Sequence, residues 1–247
     1  MEKIKIGVVI ELKSLRIYWL QLFVVLFLLP FSYLFIMFLS SGGNINKNEV
    51  VSLLIGYMVV TLVSSFVNML SLRITNTKQP EVLELYSTYS MTFPQIIVSQ
   101  CITYTLLTLP LVIVVSLYAI ISLQSVNIPL FITGTLIGIS VLLLISIFLG
   151  LAMNNLFLAN GLFQILFVIF VILSPSYFNM QSLNKVLKIF LIFNPITHIL
   201  NILRTPLKIS SGFDIKWSYL YLFILPILLV MFIARRIKNT YVLEKIF

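Results

Sequence analysis

Arg73-Ile-Thr-Asn-Thr-Lys-Gln-Pro-Glu-Val-Leu-Glu-Leu-Tyr-Ser-Thr-Tyr-Ser-Met-Thr-Phe-Pro94 is a polar island between two long apolar runs. Its residues predict a short helix. Pro80 suits a first helical position, where its fixed φ fits and its missing N–H is not needed. Glu81 and Glu84 fall in the first turn, where negative charge favours the helix dipole. Val82, Leu85, Tyr86 and Tyr89 recur at helical spacing and form a short apolar stripe. Such a helix is either a solvated connector or a docking element for a soluble partner.

What lies on either side decides the fold class. The chain of 247 residues is 60% hydrophobic and 9% charged, with a mean hydropathy of +1.13. Uncharged apolar runs of 18 or more residues read as membrane helices, because about 20 residues at 1.5 Å each cross a ~30 Å hydrocarbon layer. The expectation is an all-α membrane protein, a single transmembrane domain over 1–247 with six spans at about 20–39, 50–72, 95–123, 128–152, 157–173 and 217–234. Ser40–Glu49, Gln124–Asn127 and Met153–Asn160 read as the connections. Residues 1–18 carry Lys3, Lys5, Lys13 and Arg16, with Ile4, Val8, Leu12 and Leu15 on one helical face, so the arm reads as an interfacial helix. Glu11 falls close to that face. The N-terminus does not read as a cleavable signal peptide: its polar arm is too long and no small-residue cleavage site follows.

The segment 174–216 is too polar for one span and too apolar for an ordinary loop. Within it Asn194 is a good N-cap and Pro195 a good first helical residue, and Pro206 ends the helix near Arg204 or Thr205. Ile196, Ile199, Leu200 and Leu203 share one face of this helix, with His198, Asn201 and Thr205 opposite. Two short helices that dip into the membrane and return fit the segment, given protein around them. Trp217, Tyr219 and Tyr221 mark the membrane boundary at the start of the last span.

The net charge of +9 reads as topology and not as nucleic-acid binding, since no basic patch is interleaved with aromatics. Placing both termini in the cytosol puts ten basic residues inside against six outside, as the positive-inside rule favours. The island is then cytosolic. Between Glu84 and Lys185 no residue is charged, and ion-coupled carriers need intramembrane acids. A secondary transporter or independent channel is thereby disfavoured. The single cysteine, Cys101, excludes an internal disulfide.

Six spans, a cytosolic helix after the second and a re-entrant pair before the sixth resemble the membrane subunits of ABC-2 type exporters. In that family the loop after span two resembles Gly-Thr-Leu-Glu-x-Leu; here Glu81-Val82-Leu83-Glu84-Leu85-Tyr86 matches at Leu83 and Glu84, with Glu-Val in place of Gly-Thr. Before span six the family resembles Asn-Pro-Leu-Thr-Tyr and, six residues later, Arg; Asn194, Pro195, Thr197 and Arg204 match. His198 stands where tyrosine is usual, Asn201 where an acid is common, and Ser174-Pro175 where the family has Ser-Gly. The resemblance implies a non-enzymatic permease that binds no cofactor itself. No phosphate-binding Gly-x-x-x-x-Gly-Lys-Ser/Thr loop is present, so ATP and Mg would belong to separate ATPase subunits, two copies of them. Glu81–Tyr86 would couple to that ATPase, with Glu84 and the Val82, Leu85 and Tyr86 stripe as the contact. A second permease chain, identical or related, would complete the pathway in a cell membrane. The alternative is a membrane scaffold or assembly factor that recruits a cytosolic protein.

Single residues have plainer readings beside these. His198, the only histidine, lacks the partners a metal or catalytic role needs and reads as an interfacial or gate-lining group. Ser64, Ser65, Asn68 and Gln164 are polar groups within spans, either lining a substrate path or bonding helix to helix. Arg204 reads as an outer-surface ion pair or as a side chain snorkelling to headgroups.

Overall fold

The computed structural model describes residues 2–16, 23–28, 46–123, 126–176, 185–209 and 214–243, with residues 20, 31, 32, 35 and 39 besides. Val24–Leu28, inside the expected first span, is π-helical; the rest of that span, most of the loop at 40–49 and parts of the segment 174–216 (177–184 and 210–213) lie outside the described residues, as does the end of the tail. About 89% of the structure is helical and the described residues contain no strand. Among the described residues four helices are long and apolar enough to cross a membrane.

The first helix, α1 (Glu2–Leu15), packs along the helix Phe93–Ser122, the expected third span. Its buried face is Gly7, Glu11 and Leu15, while Leu12 is exposed. The expected interfacial stripe of Ile4, Val8, Leu12 and Leu15 is therefore rotated towards the side that Glu11 occupies. The reason is contact: a Cβ at Gly7 would come within 2.7 Å of Ser99 Oγ, so the missing side chain lets the two helices approach closely.

The second span, α2, is one continuous helix from Lys47 to Thr77. It starts three residues before the expected 50, with Asn46 as its N-cap in a capping box with Glu49, and it ends five residues past 72. No residue before Pro80 interrupts the helix, and Pro80 disfavours helical backbone at Gln79. A π-helical stretch, Ser64–Leu70, lies within it. Some 78% of its apolar window is buried, against 22% and 17% for the third and last spans. This makes α2 the helix around which the bundle forms.

The island helix, α3 (Pro80–Ser87), has Pro80 at its start as expected. After a turn at Ser90, whose φ is 50°, comes α4 (Phe93–Ser122), capped by Thr92 and Gln95. Then follow α5 (Ile128–Ala152), with Asn127 as N-cap, and α6 (Leu156–Ile172), with Asn155 as N-cap. At 17 residues α6 is about 25 Å long, short of a hydrocarbon layer. In the segment 174–216 lie α7 (Lys185–Phe193) and α8 (Pro195–Arg204), followed by a 3₁₀ turn at Thr205–Leu207. The last helix, α9 (Ile215–Leu243), extends beyond both expected limits, 217 and 234.

Every residue of α8 is buried, so its polar face does not meet water. The helix is wedged among α2, α5 and α9. Elsewhere large apolar side chains point outward, among them Val114, Ile121, Phe223 and Leu228. That is the distribution expected where hydrocarbon is the solvent.

Candidate functional site

The island helix is tied to the bundle by a buried polar knot. Glu11 on α1 is fully buried, and its Oε2 accepts from Arg73 Nε at 2.9 Å. Its Oε1 accepts from Tyr86 O–H on α3 and from Gln100 Nε2 on α4, the latter at 3.0 Å. Gln100 Nε2 also donates to Thr77 Oγ1 at 2.7 Å, and Arg73 donates to Ser14 Oγ at 3.3 Å. Four helices thus meet at one carboxylate. A buried charge stands only when paired and hydrogen-bonded, and Glu11 is both. Burial and the neighbouring Glu11 charge raise the Tyr86 phenol above its ordinary range, which keeps Tyr86 a donor.

This geometry corrects the expected docking stripe. Tyr86 is fully buried, Val82 packs beside it with Met91 and Ile96, and Leu83 is packed against the main core. The outward face of α3 is Glu81, Glu84 and Leu85, with Tyr89 just beyond, and Leu85 is 53% exposed. The spacing is helical as expected, but the stripe divides: Val82 and Tyr86 face the bundle, while Leu85 and Tyr89 face outward. Sequence reasoning missed Gln100, Thr77 and Ser14. The signal available was Glu11, an acid beside an apolar face, which required a cation somewhere in the chain.

Lys78, one residue past α2, donates to the carbonyls of Leu151 and Met153 and, at 3.2 Å, to Asn154 Oδ1. It closes the C-terminal end of α5, where free carbonyls and the helix dipole favour a cation. Burial, and then the nearby Arg236 charge, push its pKa down to about 8. In the unfolded chain Lys78 holds its proton to higher pH, so the unfolded state binds more protons above pH 8 and stability rises with pH. Thermal melts are expected to show a gain between about pH 8 and pH 10 that is absent in Lys78→Met; parallel pH profiles would refute it.

The residues of the 194–204 motif gather at the other end of α6. Asn194 Nδ2 donates to the carbonyls of Phe170 (2.8 Å) and Leu173, while its Oδ1 accepts from Ile196 N–H at 3.0 Å. One side chain therefore satisfies the end of α6 and caps the start of α8. Arg204 is 5% exposed and donates to Pro175 O at 2.6 Å, Ser176 O at 3.0 Å and Ser52 O at 3.4 Å. It neither snorkels nor reaches the surface; three backbone carbonyls hold it inside. Pro195 opens α8, and the buried Thr197 hydroxyl has no hydrogen-bond partner.

His198 is buried and stacks on Tyr221 with ring centroids 4.2 Å apart. Its bonds define the tautomer. Asn201 Nδ2 donates to Ser218 Oγ at 2.7 Å, which leaves the Ser218 hydroxyl to donate to His198 Nδ1 at 3.0 Å. Nε2–H then donates to Ile192 O at 2.8 Å. Both ring nitrogens are engaged in holding α8 to α7 and α9. Among the described residues no group of three or more His, Cys, Asp or Glu comes together.

The four candidate pathway residues separate. Ser64 and Ser65 are buried in the π-helical stretch, and Ser65 Oγ has no partner. Gln164 is exposed on α6 and donates to Asn160 Oδ1 at 3.3 Å. Asn68 lines a cleft of about 340 Å³ with Asn160, beside the knot. Compared with protein-family models and with curated proteins, the chain gives no match.

Proposed function

We propose that the chain is the permease subunit of an ATP-driven exporter of the ABC-2 type. In this reading α3 docks on a separate cytosolic ATPase that holds ATP and Mg. Two such ATPases serve a pair of permease chains, identical or related, in a cell membrane with both termini in the cytosol. The reading rests on the sequence resemblance around Leu83-Glu84 and at Asn194–Arg204, and on one structural observation. The helix α3 presents Glu81, Glu84 and Leu85 outward while its Tyr86 is bonded inward to Glu11, which also holds Arg73 of α2 and Gln100 of α4. A partner that displaces α3 therefore pulls on three other helices through one carboxylate.

The test is purification from native membranes without an added partner, followed by ATP hydrolysis. An ATP-binding protein is expected to co-purify in equal number with the permease chain. Glu84→Arg is expected to lower ATP turnover of the assembly by at least about tenfold, the scale of one charge reversal in a docked interface, while the chain stays monodisperse. Glu84 is exposed, so its reversal leaves the core intact. Co-purification of a protein that hydrolyses no ATP would instead favour a scaffold, and transport by the chain alone would overturn the reading.

A further inference from the structure

The cleft beside the polar knot carries groups that the fold does not use. It is bounded by the end of α1, one side of α2, Tyr104 of α4 and the start of α6. Its polar lining is Ser14, Asn68, Arg73, Asn76 and Asn160. Asn68, Leu72 and Asn76 recur every fourth residue along α2, and Asn68 belongs to the π-helical stretch. Such wide turns inside α-helices concentrate at functional sites.

Among the described residues the Asn68 and Asn76 carboxamides make no hydrogen bond. Both are half-buried and line the cleft, so their donors and acceptors stay open to whatever enters it. The charge balance says what kind of head fits. Among the described lining residues Arg73 is the single charged side chain, and Glu11 neutralises it at 2.9 Å. The cleft therefore offers carboxamide and hydroxyl dipoles, both donors and acceptors, and no net charge. The walls between them are apolar. At the mouth Phe157 is 93% exposed, and Leu158, Leu162 and Ile165 continue outward along α6, all exposed. That row is a track for an alkyl chain leaving the cleft towards the bilayer.

We propose that this cleft binds a single-chain amphiphile with an uncharged, hydrogen-bonding head, of the monoacylglycerol or alkyl-glycoside type. The head bonds the Asn68, Asn76 and Asn160 carboxamides, and the chain lies against Phe157 and the outer face of α6. Binding is a property of this chain alone and holds whether or not α3 docks an ATPase.

The experiment uses the chain, with whatever co-purifies, in detergent-free polymer nanodiscs and a monoacylglycerol carrying a diazirine near the head of its acyl chain. Light-induced adducts are expected on Tyr104 or Leu156–Asn160. Unlabelled monoacylglycerol is expected to suppress them at least tenfold, while lysophosphatidic acid and an alkyltrimethylammonium at the same concentration leave them within twofold. Asn68→Leu with Asn76→Leu is expected to reduce labelling at least tenfold, and Thr133→Val, on the exposed face of α5, to leave it unchanged. Equal competition by either charged amphiphile overturns the proposal on the unsubstituted chain, so a variant that fails to fold does not shield it. Undiminished labelling of a folded double variant overturns it too.

Discussion

Gly56→Ala is expected to destabilise the bundle by about 3 kcal/mol or more, although it adds one methyl group to a helix. A Cβ at Gly56 would lie 2.0 Å from Ser176 O and 2.9 Å from Ser176 C. The atoms met are backbone, so no side-chain rotation relieves them, and overpacking of this kind costs about 1–3 kcal/mol. A second cost is added. Ser176 O is one of the carbonyls that hold the buried Arg204 guanidinium, and moving it leaves a donor of that cation unsatisfied at about 1–3 kcal/mol or more. Gly161→Ala is the control: nothing lies within 4 Å of its Cβ, and alanine is the better helix former by about 1 kcal/mol. The midpoint for heat-induced loss of the monodisperse peak is expected to fall steeply for Gly56→Ala and to hold or rise for Gly161→Ala. Equal midpoints would mean that α2 and the turn after α6 do not touch.

That contact shows where sequence reading reaches and where it stops. The starts of α3 and α8 were legible, because Pro80, Asn194 and Pro195 act on their own few residues. So was the helical spacing of Val82, Leu85 and Tyr86. Which way the stripe faces was not legible, since a half-polar helix tied to a bundle and one laid against a partner share a pattern. The choice is made by Glu11, 75 residues from Tyr86. Arg73 looked like the end of a span for the same reason: a lone cation after an apolar run marks a boundary unless an acid elsewhere neutralises it. Arg204 is a third case. Its partners are carbonyls, and every residue has one, so no composition signal points to them. The cleft depends on four helices converging and left only the isolated polarity of Asn68.

The polar knot yields a directional prediction, because its two charges are unequally placed. The Arg73 side chain is 18% exposed and the Glu11 side chain 0%, and Arg73 borders the cleft. Removing the acid leaves a cation that water entering the cleft can reach; removing the cation strands a carboxylate with no water. Breaking a buried pair from the more costly side is worth about 3–5 kcal/mol, so Arg73→Met is expected to lose that much. Glu11→Gln is expected to lose about 1–3 kcal/mol, the range for a buried polar group whose partners are only partly kept, since the amide oxygen still accepts from Tyr86 and Gln100. The double variant is expected to be more stable than Arg73→Met alone, because the stranded charge is then gone, and a double-mutant cycle reads that coupling directly. The same pair holds α1 to α2, so trypsin is expected to cut after the exposed Lys13 faster in Arg73→Met than in the unsubstituted chain, with the double variant between them. If Glu11→Gln is instead the more damaging single change, the carboxylate is reached by water and cannot be the fixed point through which α3 acts on the other three helices.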